Sequence, residues 1–150
     1  DSKFIHNHIV LGLVLWKDFK GLENKSILGS IKKYSRLSRN EMEVLSEKVN
    51  LYYLLAILNS KYASHLLDIQ RGGGFCIYPD HIRSLPIPIA SKEDMEMLSE
   101  CAKKELELHA KLKDAKLESE KQSLQTLINT IDSKIDELVY NIYGVNENEI

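Results

Sequence analysis

The sequence predicts a helix-dominated α+β fold, with a small β-sheet packed on helices and a C-terminal antiparallel helical hairpin. Three observations carry that reading. Ile9–Trp16 is an unbroken apolar run rich in β-branched and aromatic residues, the pattern of a strand buried on both faces. Leu51, Leu54, Leu55, Leu58, Tyr62, Leu66 and Ile69 follow the three/four spacing of one helix face. Leu124, Ile128, Ile131, Ile135, Leu138 and Ile142 alternate steps of four and three, a heptad seam.

The remaining elements follow from local chemistry. Ser26–Ser35 reads equally as a second strand or a short helix. Ser38-Arg39-Asn40-Glu41 has the capping-box pattern and opens a short helix through about Val49, after which Asn50 can cap the next. Gly72-Gly73-Gly74 ends the helix that begins at Leu51, because glycine favours a flexible loop. Phe75–Tyr78 is a short strand candidate. Leu85–Ile89 is extended, since each of Pro86 and Pro88 pushes its predecessor out of the helical region. Ser91 caps a helix of roughly residues 92–117, whose apolar stripe (Leu98, Cys101, Leu108, Leu112, Ala115) is broken by Glu105. Ser119-Glu120-Lys121-Gln122 offers a second capping box, which places the hairpin turn near Leu117–Ser119; one unbroken helix is the alternative. The prolines, all between Tyr78 and Ile89, separate a mixed α/β part (1–90) from the helical hairpin (91–150).

At 150 residues the chain suits a single domain able to bury its own core. Its longest apolar run falls far short of a membrane span, no signal peptide is visible, and a cytoplasmic, prokaryotic location is expected. A start at Asp1 without a methionine points to a piece of a longer protein. Cys76 and Cys101 are too few for a disulfide framework and lack metal-site spacing. The net charge of −2 conceals an asymmetry. Residues 1–90 carry 12 Lys/Arg against 8 Asp/Glu, and residues 91–150 carry 8 against 14. The basic excess lies at Lys17, Lys20, Lys25, Lys32, Lys33, Arg36 and Arg39, a stretch able to neutralise phosphates.

Catalytic motifs are missing. No Asn/Asp-Pro-Pro-aromatic string, of the kind that holds a flipped base, occurs in the sequence. Gly72-Gly73-Gly74 follows a helix rather than a strand, so it lacks the context of a nucleotide loop. Pro79-Asp80 followed by Asp114-Ala115-Lys116 or Asp132-Ser133-Lys134 imitates a metal nuclease, yet that chemistry needs its carboxylates and lysine on neighbouring strands. His6 and His8 share one face of a strand, with no third ligand identifiable. The binding features are stronger. Arg71, Gly72 and Gly73 allow close approach to a phosphate, while Tyr78, His81 and Arg83 are suited to DNA backbone or base edges.

The order of segments adds a resemblance. LYYLLAILNSKYASHLLDI leads through RGGG into FCIYPDHIRSLPIP, and IDELVYNIYGVNENEI follows about fifty residues later. Together with HNHIVLGLVLWKDFKGLENKSI upstream, this order resembles the TaqI-like C-terminal specificity domain of adenine-N6 DNA methyltransferases, including fused restriction-modification enzymes. The resemblance implies a target-recognition module that binds double-stranded DNA and catalyses nothing alone. It implies a methyltransferase domain N-terminal to Asp1 in the same polypeptide, using S-adenosylmethionine, with Mg2+ if the parent also cleaves. The Tyr78–Arg83 segment is then DNA-contacting or close to DNA. A scaffold or homodimerisation role for the C-terminal helices, without base reading, is the alternative.

Overall fold

A computed structural model describes residues 12–34, 36–74 and 76–150, with Tyr34 described by its backbone alone. Two compact units emerge, the first ending at Asn50 and the second spanning Leu51–Ile150. Residues 51–90 thus share a unit with the C-terminal helices, so the division falls well before the prolines.

Every regular element among the described residues is helical, and the expected β-sheet is overturned. Of the first strand candidate, Ile9, Val10 and Leu11 lie outside the described residues, as do His6 and His8. Gly12–Leu15 forms no ladder, and Trp16–Phe19 is a 3-10 turn. Of Phe75–Tyr78, Phe75 is likewise outside, and residues 76–78 are unpaired coil. β-branched and aromatic content reports how well side chains suit a pleated, half-buried surface, and it cannot by itself supply a pairing partner.

In the first unit α1 (Lys25–Tyr34) settles the strand-or-helix alternative. Asn24 Oδ1 accepts the Ile27 N–H at 2.9 Å and satisfies a donor at the helix start. α2 (Arg39–Glu47) opens on the expected capping box. Ser38 Oγ accepts the Glu41 N–H at 3.4 Å, and Glu41 Oε2 accepts the Ser38 N–H at 2.8 Å and its hydroxyl at 2.7 Å. The hydroxyl bond, then the backbone bond, holds the Glu41 carboxyl below its usual range. Leu15, Ile27 and Met42 are buried here, whereas Trp16, expected in the core, is half-buried.

The second unit begins with α3 (Leu51–Asn59) and α4 (Lys61–Arg71), where one helix was expected. Ser60 makes the break. Its hydroxyl donates to Ile57 O at 2.7 Å and accepts the Ala63 N–H at 3.2 Å, ending one helix and capping the next. The break also changes the buried face. Tyr53, Ala56, Ile57, Ala63 and Leu67 are buried, Leu54, Leu55 and Leu58 are only half-buried, and Leu51 and Ile69 are exposed. A run as uniformly apolar as LYYLLAIL gives periodicity little power to choose a phase. α4 ends at Gly72, whose φ of 56° is left-handed and whose N–H bonds to Asp68 O and Ile69 O. α5 (Pro79–Ser84) is a helix the sequence reading missed, although Pro79 at its first position is a favourable start.

α6 (Lys92–Asp114) is capped by Ser91 through the Asp94 N–H at 3.1 Å and packs on both α3 and the last helix. α7 (Glu118–Tyr143) follows after three residues, so the two long helices are antiparallel neighbours. The turn lies at Ala115–Leu117, and the second capping box does not form: Leu117 precedes the helix without a side-chain cap, and Ser119 sits inside the first turn. Along the seam Leu98, Cys101, Ala102 and Leu108 of α6 are buried, with Ile128, Ile131, Ile135 and Val139 of α7. Leu124, Leu138 and Ile142 are half-buried.

Ile135 is 2% exposed at the middle of this seam. Replacing it with Asp forces a charge into an apolar interior and is expected to cost about 3–5 kcal/mol. Circular-dichroism melting should show a fall of roughly 10 °C or more.

Candidate nucleic-acid interface

The basic and aromatic residues singled out from the sequence fall into two groups, one in each unit. In the first unit Lys17 and Arg39 are engaged internally. The Lys17 N–H donates to Ser46 Oγ at 2.7 Å and its ammonium to Val49 O at 3.0 Å. Arg39 Nη2 donates to Phe19 O and Leu22 O, both at 2.7 Å, and its Nε to Glu43 Oε1 at 2.8 Å. These contacts bind the segment after the 3-10 turn to α2, so truncating Arg39 removes packing as well as charge. Lys20 is exposed and lies 3.8 Å from Glu47. Lys25 opens α1 and Lys32 and Lys33 close it, all three exposed, as is Arg36 beyond. Lysines in a last helical turn also complement the helix dipole, a structural use that needs no nucleic acid.

The second group lies around the α4–α5 connection. Gly72 and Gly73 both have positive φ, at 56° and 84°, conformations that disfavour any residue with a Cβ. Arg71 bonds Asp68 Oδ1 at 2.6 Å and Arg83 bonds Asp80 Oδ1 at 3.0 Å, each one turn away on its own helix. Tyr78 is 61% exposed, and its ring stands edge-on to His81 at 5.5 Å. His81 Nδ1 accepts the Tyr78 N–H at 3.3 Å, which covers a donor at the start of α5. Ser84 Oγ donates to Gln70 Oε1 at 2.7 Å and links the two helices. The connection thus carries the exposed Tyr78 and Arg83 and the half-buried His81, with the arginines already paired to carboxylates.

The segments LYYLLAILNSKYASHLLDI, FCIYPDHIRSLPIP and IDELVYNIYGVNENEI meet. Tyr53, fully buried, donates to Pro88 O at 2.8 Å, and Tyr143 donates to Pro86 O at 2.6 Å. Tyr143 also packs against Tyr62 with ring centres 4.6 Å apart. Burial, more than the neighbouring tyrosines, pushes the Tyr143 hydroxyl up to about 12, and burial likewise raises Tyr53. Asp136 accepts the Lys61 N–H on Oδ1 at 2.8 Å and faces the Lys61 ammonium at 3.4 Å. The signal for Asp136 is present in the sequence as a carboxylate set directly after Ile135 of the seam.

Asp80, Asp114 and Asp132 sit on α5, the end of α6 and α7, and no group of three His, Cys, Asp or Glu among the described residues could hold a metal ion. No helix among them is long and apolar enough to cross a membrane. No family model, curated protein or solved structure matches the chain.

Tyr53→Phe and Tyr143→Phe should each lower stability by about 1 kcal/mol, because each leaves a proline carbonyl without its donor. Asp136→Ala should cost more, about 1–3 kcal/mol, since the acceptor it removes is charged. Urea unfolding of the three variants checks the order.

Proposed function

We propose that this chain is a DNA target-recognition module of an adenine-N6 DNA methyltransferase or fused restriction-modification enzyme. Methyl transfer from S-adenosylmethionine then belongs to another domain of the same polypeptide. The observation that carries this reading is the convergence of the three segments on which the resemblance rests. Tyr53 with Pro88, Tyr143 with Pro86, and Lys61 with Asp136 make their order in the sequence a single packed arrangement. α5 leads directly into the proline segment that these tyrosines hold, and Tyr78, His81 and Arg83 at α5 are the candidate DNA-facing side chains. Lys32 and Lys33, both exposed on α1, are candidate phosphate contacts.

The alternative is a scaffold or homodimerisation role for the C-terminal helices. The internal engagement of Lys17 and Arg39 favours it, as do the carboxylate partners of Arg71 and Arg83.

Fluorescence anisotropy of the full-length enzyme across a salt series separates the two. Each neutralised phosphate contributes a log–log slope of about −0.9. Lys32→Ala with Lys33→Ala should flatten that slope and weaken all sequences alike. Arg83→Ala should instead reduce discrimination between sites, by about 1–3 kcal/mol if it reads a base. An unchanged slope together with unchanged site preference supports the scaffold. The chain alone should neither methylate DNA nor cut it with magnesium; either activity would refute the division of labour proposed here.

A further inference from the structure

His81 is the third residue of α5, the place from which a glutamate or glutamine side chain reaches back to the capping residue's N–H. Glu41 makes that bond in α2, accepting the Ser38 N–H at 2.8 Å. In α5 an imidazole makes it instead. His81 Nδ1 accepts the Tyr78 N–H at 3.3 Å, and the His81 N–H donates to Tyr78 O at 3.0 Å. The Tyr78 ring, edge-on at 5.5 Å, adds a contact to the same imidazole.

Closing the box with histidine leaves something that glutamate cannot. A ring nitrogen that accepts a hydrogen bond carries no proton, so the imidazole N–H lies on Nε2. That nitrogen has no partner among the described residues. The buried polar side-chain atoms without a partner among those residues are Arg71 Nε and Tyr140 Oη, so Nε2–H of the half-buried His81 is open to solvent. An outward donor is thereby fixed in direction by a bond on the far side of the same ring.

We infer, on the footing of the recognition function proposed above, that His81 is a specificity-determining residue whose Nε2–H donates to N7 of a purine in the major groove. The tautomer decides the class of target. A neutral donor adds little to phosphate attraction, which depends on charge, whereas a donor of fixed direction separates acceptors from donors on base edges. Every purine presents N7 as an acceptor there, while cytosine presents a donor and thymine sets a methyl group beside its acceptor. His81 differs in this from Lys32 and Lys33, whose phosphate contacts carry no sequence information.

Nitrogen-15 NMR of the whole chain tests the tautomer without DNA. His81 should carry its proton on Nε2, and a proton on Nδ1 overturns the inference. Anisotropy with the full-length enzyme tests the contact. Replacing the purines of its preferred duplex one at a time by 7-deaza analogues should cost roughly three- to tenfold in affinity where N7 is read. At one such position the loss should vanish in His81→Glu, which keeps the cap and removes the donor. It should persist in His81→Gln, which can accept the Tyr78 N–H and still donate outward. Losses unchanged in His81→Glu overturn the role of His81, also where that variant weakens every duplex alike, the mark of a phosphate contact. If His81→Glu fails to fold, the wild type decides, since no loss at any purine overturns the role too. A wild-type enzyme with no site preference refutes the recognition function and the role of His81 with it. A preference that ignores His81 refutes that role alone.

Discussion

A carboxylate only 6% exposed inside a helical unit is tolerated when its lone pairs are taken up, and Asp136 is compensated by the start of α4. One oxygen accepts the Lys61 N–H, a donor that no intrahelical carbonyl can satisfy at that position, and the other faces the Lys61 ammonium. Asp136 places negative charge at a helix N-terminus, where the dipole favours it, and Ser60 supplies the neighbouring cap. The hydrogen bond that Lys61 makes to the Asp136 carboxylate, first among the causes, raises its ammonium above its ordinary range. The break between α3 and α4 therefore happens where α7 can satisfy it. A leucine at position 136 would fill space but leave the start of α4 without its acceptor.

The proline segment depends on the same construction. Residues 85–90 run without regular structure between α5 and α6, so their carbonyls need partners from elsewhere. Tyr53 and Tyr143 provide two, from α3 and from the last turn of α7. The connection carrying Tyr78 and Arg83 is thereby tied to the long hairpin through a fixed strap and not through a free linker. Under the proposed function that property matters, because a side chain can discriminate bases only if its own backbone is held in place.

What the sequence revealed divides along physical lines. Some signals that act within a few residues were legible, namely the Ser38 capping box, the Ser91 cap and the end of the helix at Gly72, although the Ser119 capping box did not form and α5 was not foreseen. Signals that depend on a distant partner were not. Gly12–Trp16 and residues 76–78, the described parts of the two strand candidates, have the composition of strands, but composition cannot supply a ladder. The break at Ser60 was invisible because its counterpart, Asp136, lies far along the chain. For the candidate interface, residue type identified Arg39 and Lys17 but not their use, since the carbonyls of Phe19, Leu22 and Val49 that hold them are displayed only by the fold.

Charge distribution limits how DNA can be approached under the proposed function. The C-terminal 60 residues carry 8 Lys/Arg against 14 Asp/Glu, so most of the hairpin surface repels a phosphate backbone. Around the α4–α5 connection, Arg71 and Arg83 are offset by Asp68 and Asp80, leaving that connection close to neutral. Non-specific phosphate attraction then has to come from the first unit, where Lys25, Lys32, Lys33 and Arg36 are exposed. A neutral connection has its own advantage in site selection. Asp80 holds the guanidinium of Arg83 through Nη1, which under the proposed function favours recognition by geometry over indiscriminate attraction. Affinity and discrimination would thus reside in different units, and a substitution on α1 and one on α5 would fail in different ways.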